Sequence, residues 1–257
     1  MSTTTFDPYC ISVDGKVLGD YACMIERLRG TRQVASRRSR NHSAAYRHGR
    51  RPTNAYFDEK ILPLEITVFP TDESHEVNHP AGPIGHLQHN TDELFAIFGK
   101  RGLIDFRQLI PTEDGPVECQ GWAEVRRAID VDGDEGAWSM IVELAFPYPF
   151  LHELPKITLS AATQHVFTTG GTAPIADMVF TFSGAGTVTY GDYEIGVTEA
   201  AVVDVGKREV YVGGELKMSA LSVTAATPEN WMEWPARTEI TLNSTVNVAV
   251  EYYNARH

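Results

Sequence analysis

The acidic segment 130–143 is the first place where the sequence could support chemistry, because it spaces aspartates like a calcium-binding loop. They stand at the first, third and fifth positions, as in an EF-hand. That motif also needs glycine at position six and glutamate at position twelve, where Glu135 and Ile141 stand here. We therefore interpret the segment as the tip of a β-hairpin, with Gly133 and Gly136 supplying the turn.

Histidine is the second residue type that could do chemistry, and four of the nine histidines fall within residues 75–89. A metal site needs a convergent third ligand, which the spacing of these residues does not identify. The sequence also lacks a nucleophile elbow, a phosphate-binding loop and a dinucleotide fingerprint. We therefore predict no metal, no cofactor and no catalytic residues.

Arginine dominates residues 27–51, which hold nine of the 22 basic side chains and no acidic one. The rest of the chain then carries 13 basic and 34 acidic side chains, a net charge of −21. Arginine could bind phosphates. In so acidic a chain, we favour the interpretation that these arginines contact an acidic surface of the same or a neighbouring copy. The candidate assembly residues are Arg37, Arg38, Arg40, Arg47, Arg50 and Arg51.

Two tryptophans near the end of the chain, Trp231 and Trp234, could stack against sugars if they were exposed. They stand in a connection flanked by Pro228 and Pro235. A buried position, in which they close the end of a β-sandwich, is the favoured interpretation. A glycan-binding edge stays open as the alternative.

The overall composition is that of a globular protein, with 42% apolar and 22% charged residues. The formal net charge of −12 disfavours general nucleic-acid binding. No apolar run approaches the roughly 18 residues of a membrane span. The first residues resemble no secretory signal, since both a basic and an apolar region are missing.

Most of the chain consists of short segments rich in β-branched and aromatic residues, separated by Gly, Asp, Asn and Pro. Near the end, Val246, Val248, Val250 and Tyr252 alternate with other residues and fall on one face. The segments on either side of the acidic turn predict a hairpin. The sequence therefore predicts a mainly β protein.

One helix is predicted, over residues 90–102. Asn90 is suited to cap its start and Glu93 to complete a capping box. Gly99 or Gly102 can end it. The prolines and glycines of residues 80–85 predict a loop before the helix.

These elements divide the chain into two domains. Residues 1–148 predict a β-rich domain with one helix packed on a sheet, and residues 149–257 predict an all-β sandwich. The prolines at the boundary prevent both helix and strand continuation, and the aromatics could wedge between the domains as a stiff joint. The candidate joint residues are Phe146, Pro147, Tyr148, Pro149 and Phe150.

Four segments together resemble the distal tail proteins of long-tailed, non-contractile phages. They are 85–102 (GHLQHNTDELFAIFGKRG), 143–153 (ELAFPYPFLHE), 170–189 (GGTAPIADMVFTFSGAGTVT) and 231–256 (WMEWPARTEITLNSTVNVAVEYYNAR). The resemblance implies an N-terminal belt domain that assembles into a ring and a C-terminal galectin-like β-sandwich. A Pro-Gly turn is expected after Trp234, where this chain has Pro235-Ala236-Arg237. The sugar-binding signature of true galectins is absent from the sequence.

The same resemblance implies a structural virion protein of the tail tip, or baseplate hub, assembled in the host cytoplasm. Its expected partners are other copies of itself in a hexameric ring, the tail tube protein and a tail-tip or tail-associated protein. A receptor-binding protein is a further partner, and neither specific nucleic acid nor a membrane is expected. The alternative function is a carbohydrate-binding module for host cell-wall glycan, which would use Trp231 and Trp234.

Overall fold

The structure is a computed structural model in which two compact units can be distinguished. The first comprises residues 57–151, the strands before residue 38, and His257; the second comprises residues 152–256. At 26–28, 37–38, 56–57 and 130–131 only the backbone is described. The described residues are 11–20, 22–28, 37–38, 56–57, 59–131, 133, 136–222 and 231–257.

The first unit is built from antiparallel strands. They are β1 (Ile11–Val13), β2 (Lys16–Leu18), β3 (Cys23–Leu28), β4 (Arg37–Arg38), β5 (Tyr56–Phe57), β6 (Lys60–Val68), β7 (Leu103–Thr112), β8 (Gly115–Val131) and β9 (Trp138–Phe146). Seven of them form one sheet in the order β2-β1-β7-β8-β9-β6-β3, and β4 pairs with β5. The predicted hairpin across the acidic turn is confirmed, because β8 pairs with β9.

This sheet curls so that its two edges approach each other. Strands β2 and β3 lie at opposite edges, yet only four residues separate them along the chain. The Gly19 N–H donates a hydrogen bond to the Cys23 carbonyl at 2.9 Å and ties the edges together. Inward-facing side chains of every strand therefore meet in one interior, which includes the fully buried Phe106 and Leu64.

The single helix, α1 (Gly82–Phe98), fills that interior but begins eight residues before the predicted start. Ala81 precedes its first turn without a side-chain cap, and Pro83 lies in that turn, where a missing N–H costs nothing. Residues 82–85 are therefore helical and not a loop. Of the two glycines predicted to end the helix, Gly99 does so and Gly102 does not: α1 stops at Phe98, and the Gly99 N–H closes the last turn on the Phe95 carbonyl at 2.7 Å.

Asn90 does not cap the helix, because it lies inside it. Its side-chain Nδ2 donates to the backbone carbonyls of Phe69, at 2.7 Å, and Thr71, at 3.2 Å. The residue thus fixes the chain that follows β6. Leu87 and Leu94, on the same buried side of α1, complete the core. No helix among the described residues is long and apolar enough to span a membrane.

The second unit contains the remaining strands and one short 3-10 turn (Met218–Ala220). Its strands are β10 (Leu151–Glu153, which begins in the first unit), β11 (Ile157–Thr168), β12 (Val179–Phe182), β13 (Gly186–Tyr190), β14 (Tyr193–Val197), β15 (Ala201–Asp204), β16 (Glu209–Val212), β17 (Glu215–Leu216), β18 (Leu221–Ser222), β19 (Glu239–Tyr252) and β20 (Ala255–Arg256). The mainly β fold class is confirmed for the described residues.

Strand β19 organises this unit because it belongs to two groups of strands. Along one edge it pairs with β11 from Glu239 to Asn243 and again from Val248 to Tyr252, with register shifts along this pairing. Along the other it pairs first with β13, at Asn243 and Ser244, and then with β12, from Val248 to Glu251. Val248, Val250 and Tyr252 are buried, as their alternation predicted. One long strand thus brings the β12–β15–β16–β17 and β13–β14–β18 groups together.

Lys60 is an unusual member of the first unit, since it is buried at the start of β6, opposite Phe146. Burial lowers the pKa of its ammonium group to about 8 from 10.5. Between these values the unfolded chain binds more protons than the folded chain, so stability rises with pH. Below about pH 8 Lys60 is charged in the folded protein as well, so the full free-energy cost of burying its charge lowers the stability.

The stability of wild type should therefore increase relative to Lys60→Met as the pH rises from about 8 to 10.5. One pKa unit corresponds to about 1.4 kcal/mol, so a gain on the order of 1–3 kcal/mol is expected. Urea unfolding across this range measures it. Lys207→Met is the control, because Lys207 is exposed and Asp204 raises its pKa. Equal pH dependence in wild type and Lys60→Met would contradict the prediction.

Candidate assembly interface

The arginine-rich segment connects two neighbouring strands at the edge of the first sheet. Its first two residues, Arg27 and Leu28, are the last of β3, and β6 follows it along the chain. These two strands pair antiparallel, with Leu28 opposite Leu64. Arg37 and Arg38 form β4, where only the backbone is described. The other four candidates lie outside the described residues: Arg40, Arg47, Arg50 and Arg51. Their role in assembly stays a prediction.

The outer face of strands β7 and β8 carries a charged network around Arg107. Its Nε donates to Asp105 Oδ2 at 2.9 Å and its Nη1 to Glu118 Oε1 at 3.0 Å. Gln120 Nε2 donates to the other oxygen of Asp105 at 2.8 Å. The hydrogen bonds from Arg107 to Asp105 and Glu118 raise the pKa of its guanidinium group. This surface is thus already organised to hold an arginine between two carboxylates.

Beside this network lie two large apolar side chains that face solvent. Trp122, directly opposite Asp105, is 49% exposed, and Leu103, opposite Glu124, is 53% exposed. Our sequence reasoning missed both. The signal was the alternation in β8, where a tryptophan falls among outward polar residues while small residues face inward. The outward set is Glu118, Gln120, Trp122 and Glu124, and the inward set is Cys119, Gly121 and Ala123.

The aromatic residues of the predicted joint pack within the first unit. Phe146 is buried and meets Phe106 edge to face, with ring centroids 5.2 Å apart. Phe150 is buried too and contacts Tyr148 at 5.4 Å and His257 at 5.2 Å. These contacts anchor both ends of the proline-containing stretch. The role of the five residues as a wedge between domains stays a prediction.

Gly121 makes room for this aromatic packing. A Cβ atom there would lie 2.9 Å from the ring of Phe146 and 2.7 Å from a methyl group of Leu151. Neither is the end of a flexible polar side chain, so a larger residue would displace the core.

Of the two prolines in the predicted joint, Pro147 is exposed and Pro149 is buried.

Trp234 is fully buried, which removes it from the predicted glycan-binding edge. Its backbone pairs with Ile175 through two hydrogen bonds of 2.9 Å. Its ring meets those of Phe167, Phe180 and Tyr252 edge to face, with centroids 5.3 to 6.1 Å apart. A ring enclosed by three others cannot stack on a sugar. Trp231 is half-buried, so the edge retains at most one tryptophan.

The turn after Trp234 accommodates its departure from the expected Pro-Gly sequence. Arg237 adopts a φ of 52°, a conformation that favours glycine. Its Nε donates to the Gly171 carbonyl at 3.0 Å, and Thr169 Oγ1 donates to the Pro235 carbonyl at 2.7 Å. These hydrogen bonds offset the backbone strain.

Two pairs of polar side chains close the second unit where its chain begins and ends. His152 Nε2 lies 2.6 Å from Asp177 Oδ2, and the histidine ring stacks on Tyr253. Arg256 forms an ion pair with Glu153. All four side chains are at most 20% exposed, so they tie the strand segments together in a partly desolvated setting.

The histidine-rich segment places two of its four histidines on the helix. His86 and His89 lie on α1, and His86 is buried next to the ring of His79, with centroids 5.9 Å apart. Among the described residues, no group of three or more His, Cys, Asp or Glu side chains could hold a metal ion. Of the aspartates in the calcium-like loop, Asp132 and Asp134 lie outside the described residues.

The fold is similar to that of a solved phage protein. The chain superimposes on the Dit protein of phage SPP1, described as a paradigm of the hub adsorption apparatus in phages that infect Gram-positive bacteria. The TM-score is 0.64 at 15% identity, and the match covers 96% of this chain and 98% of the other. A chain of the phage P2 baseplate in its activated conformation with Ca matches with a TM-score of 0.46 at 8% identity, covering 96% of this chain and 98% of that chain.

Neither a family model nor a curated protein matches the sequence. The likeness to SPP1 Dit is therefore one of fold, and it extends over almost the whole of both chains. The β-rich fold expected from the resemblance to distal tail proteins is thereby confirmed, and the galectin-like character of the second unit stays a prediction.

Replacing Trp234 tests whether it belongs to the core. Trp234→Ala should lower the free energy of unfolding by about 3–5 kcal/mol, because it opens a cavity among three aromatic rings. Trp234→Phe should cost less, since it keeps most of the packing and removes an indole N–H that is buried without a hydrogen-bond partner in the described part of the chain. Urea unfolding followed by circular dichroism measures both.

The half-buried Trp231 supplies the control for this comparison, and Trp231→Ala should have the smaller effect. Equal losses for Trp231→Ala and Trp234→Ala would show that burial of Trp234 does not stabilise the unit.

Proposed function

We propose that this chain is a structural virion protein, the distal tail protein at the end of a non-contractile phage tail. The observation that carries the proposal is the fold shared with SPP1 Dit along nearly the full length of both chains. SPP1 Dit is described as a paradigm of the hub adsorption apparatus, and the match includes 96% of this chain. In this role the protein positions other proteins, so no catalysis is assigned to it.

The first unit is proposed to form the ring. In a cyclic ring, one face of each copy must complement a different face of its neighbour. The charge asymmetry suits such a contact, since residues 27–51 carry nine arginines and the remainder has a net charge of −21. The segment also starts within β3, the edge strand of the first sheet. A hexamer is proposed from the resemblance to distal tail proteins.

The ring would join the tail tube protein on one side to a tail-tip or tail-associated protein on the other. The second unit, proposed as a galectin-like sandwich, would project outward and support a receptor-binding protein. The stretch from Phe146 to Phe150 would set the direction of that projection, because its two prolines restrict the backbone. The protein would be assembled in the host cytoplasm and reside at the tail tip.

The ring proposal is tested on the purified full-length chain. Light scattering over a range of concentrations should reveal a species of six chain masses, and negative-stain images should show rings. A chain that stays monomeric at every concentration, both alone and with its tail tube protein, would contradict the proposal.

The triple substitution of Arg37, Arg38 and Arg40 by serine should weaken ring formation, and high salt should weaken the wild-type ring. Both effects follow from screening or removing attraction between opposite charges. The matched control replaces Lys207, Arg208 and Lys217 of the second unit by serine, the same change in net charge. Loss of assembly in both triple variants would assign the effect to net charge and not to this segment.

A further inference from the structure

The outer face of the first sheet carries an exposed surface that the fold does not use. One row across four strands runs from Leu103 through Glu124 and the small, buried Ala145 to Ile61, each opposite the next. Trp122 adjoins this row on β8, two residues before Glu124. We call the set Ile61, Leu103, Trp122 and Glu124 the Trp122 patch.

The patch is apolar and acidic at once. Ile61 is 42% exposed, and Leu103 and Trp122 are about half exposed. Glu124 is exposed and has no ion-pair partner among the described residues. Large apolar side chains on an outward face of a strand remain in water at a cost, and they are the usual anchors of protein interfaces.

An arginine side chain fits this combination better than other common groups. The guanidinium plane stacks on the face of a tryptophan and binds a carboxylate through two N–H groups. A lysine ammonium lacks the planar fork, and an acidic group would be repelled by Glu124. The neighbouring network shows the same chemistry, because Arg107 is held there between Asp105 and Glu118.

We infer that the Trp122 patch binds the arginine-rich segment, residues 27–51, of a second copy of this chain. The inference rests on the proposed ring and names the surface that receives each neighbour. Charge complementarity selects the occupant, since this segment concentrates nine arginines and no acid, while the rest of the chain is strongly acidic. Nucleic acid is disfavoured, because a phosphate backbone would face Glu124.

The apolar part of the segment suits the patch as well. Val34, Ala35, Ala44, Ala45 and Tyr46 interrupt the arginines and could cover Leu103 and Ile61. A contact that joins apolar burial to charge pairing is more specific than either alone, because a wrong partner must satisfy both.

Single substitutions give the first test, again on the full-length chain by light scattering. Glu124→Arg and Trp122→Ala should each raise the concentration needed for ring formation by about tenfold or more. Glu215→Arg and Leu216→Ala are the matched controls, since both residues are exposed on β17. Equal unfolding midpoints for the variants and wild type establish that the fold is intact.

A mixing experiment identifies what the patch binds. One chain carries Glu124→Arg, and the other carries Arg37→Glu, Arg38→Glu and Arg40→Glu. Each should fail to assemble alone at a concentration where wild type forms rings. In an equimolar mixture each contact pairs opposite charges again, so alternating rings should form.

The outcomes separate this inference from the ring proposal. If wild type never assembles, both are overturned. If wild type forms rings and Glu124→Arg assembles equally well, only the patch is wrong. If the Glu124→Arg chain and the chain with the three Arg→Glu substitutions each fail to assemble alone, and their mixture also fails, the segment of one copy does not bind the patch of another. Recovery only when all four substitutions share one chain would mean that the segment binds its own patch, which also overturns the inference.

Discussion

The first unit depends on the burial of the inner face of one curled sheet. Its seven strands bend until β2 and β3 approach each other, and α1 supplies Leu87, Leu94 and Phe98 to the space they enclose. Burial of this apolar surface is the main stabilising interaction of such a unit. Because each strand alternates, placing one set of side chains inside fixes the other set outside. The exposed row around Trp122 is thus a direct consequence of core packing.

The sequence predicted the parts of the fold that are encoded locally. Strand alternation in β19 and the hairpin between β8 and β9 follow from residue patterns within single segments. The start of α1 does not follow from a local pattern, because its cap has no hydrogen-bonding side chain and the Asn90 side chain binds a distant loop. Local capping rules favour Asn90 at the start of a helix. The tertiary hydrogen bonds from its side chain to two carbonyls outweigh that preference.

The candidate sites also divide into features that a local sequence pattern can predict and features that depend on residues far apart in the sequence. Burial of Trp234 requires Phe167, Phe180 and Tyr252, which lie far apart in the sequence, so no local pattern could establish it. Trp122 was detectable in principle, since it interrupts a row of outward polar residues. Recognising the interruption requires the correct inner and outer faces of β8, and these depend on the small residues that pack inside, above all Gly121.

The distribution of charge sets a physical requirement on any ring that this chain forms. Copies with a net charge of −12 repel one another, and the repulsion grows as they are brought together. A short segment of concentrated positive charge reverses the sign locally and leaves the rest of the surface acidic. Attraction then exists only where that segment meets a carboxylate-bearing face, so the same charges that oppose random association give the contact its direction. An exposed tryptophan at that face adds apolar burial, which salt does not screen. Assembly by such a contact is specific because neither the charge nor the apolar side chains are sufficient alone.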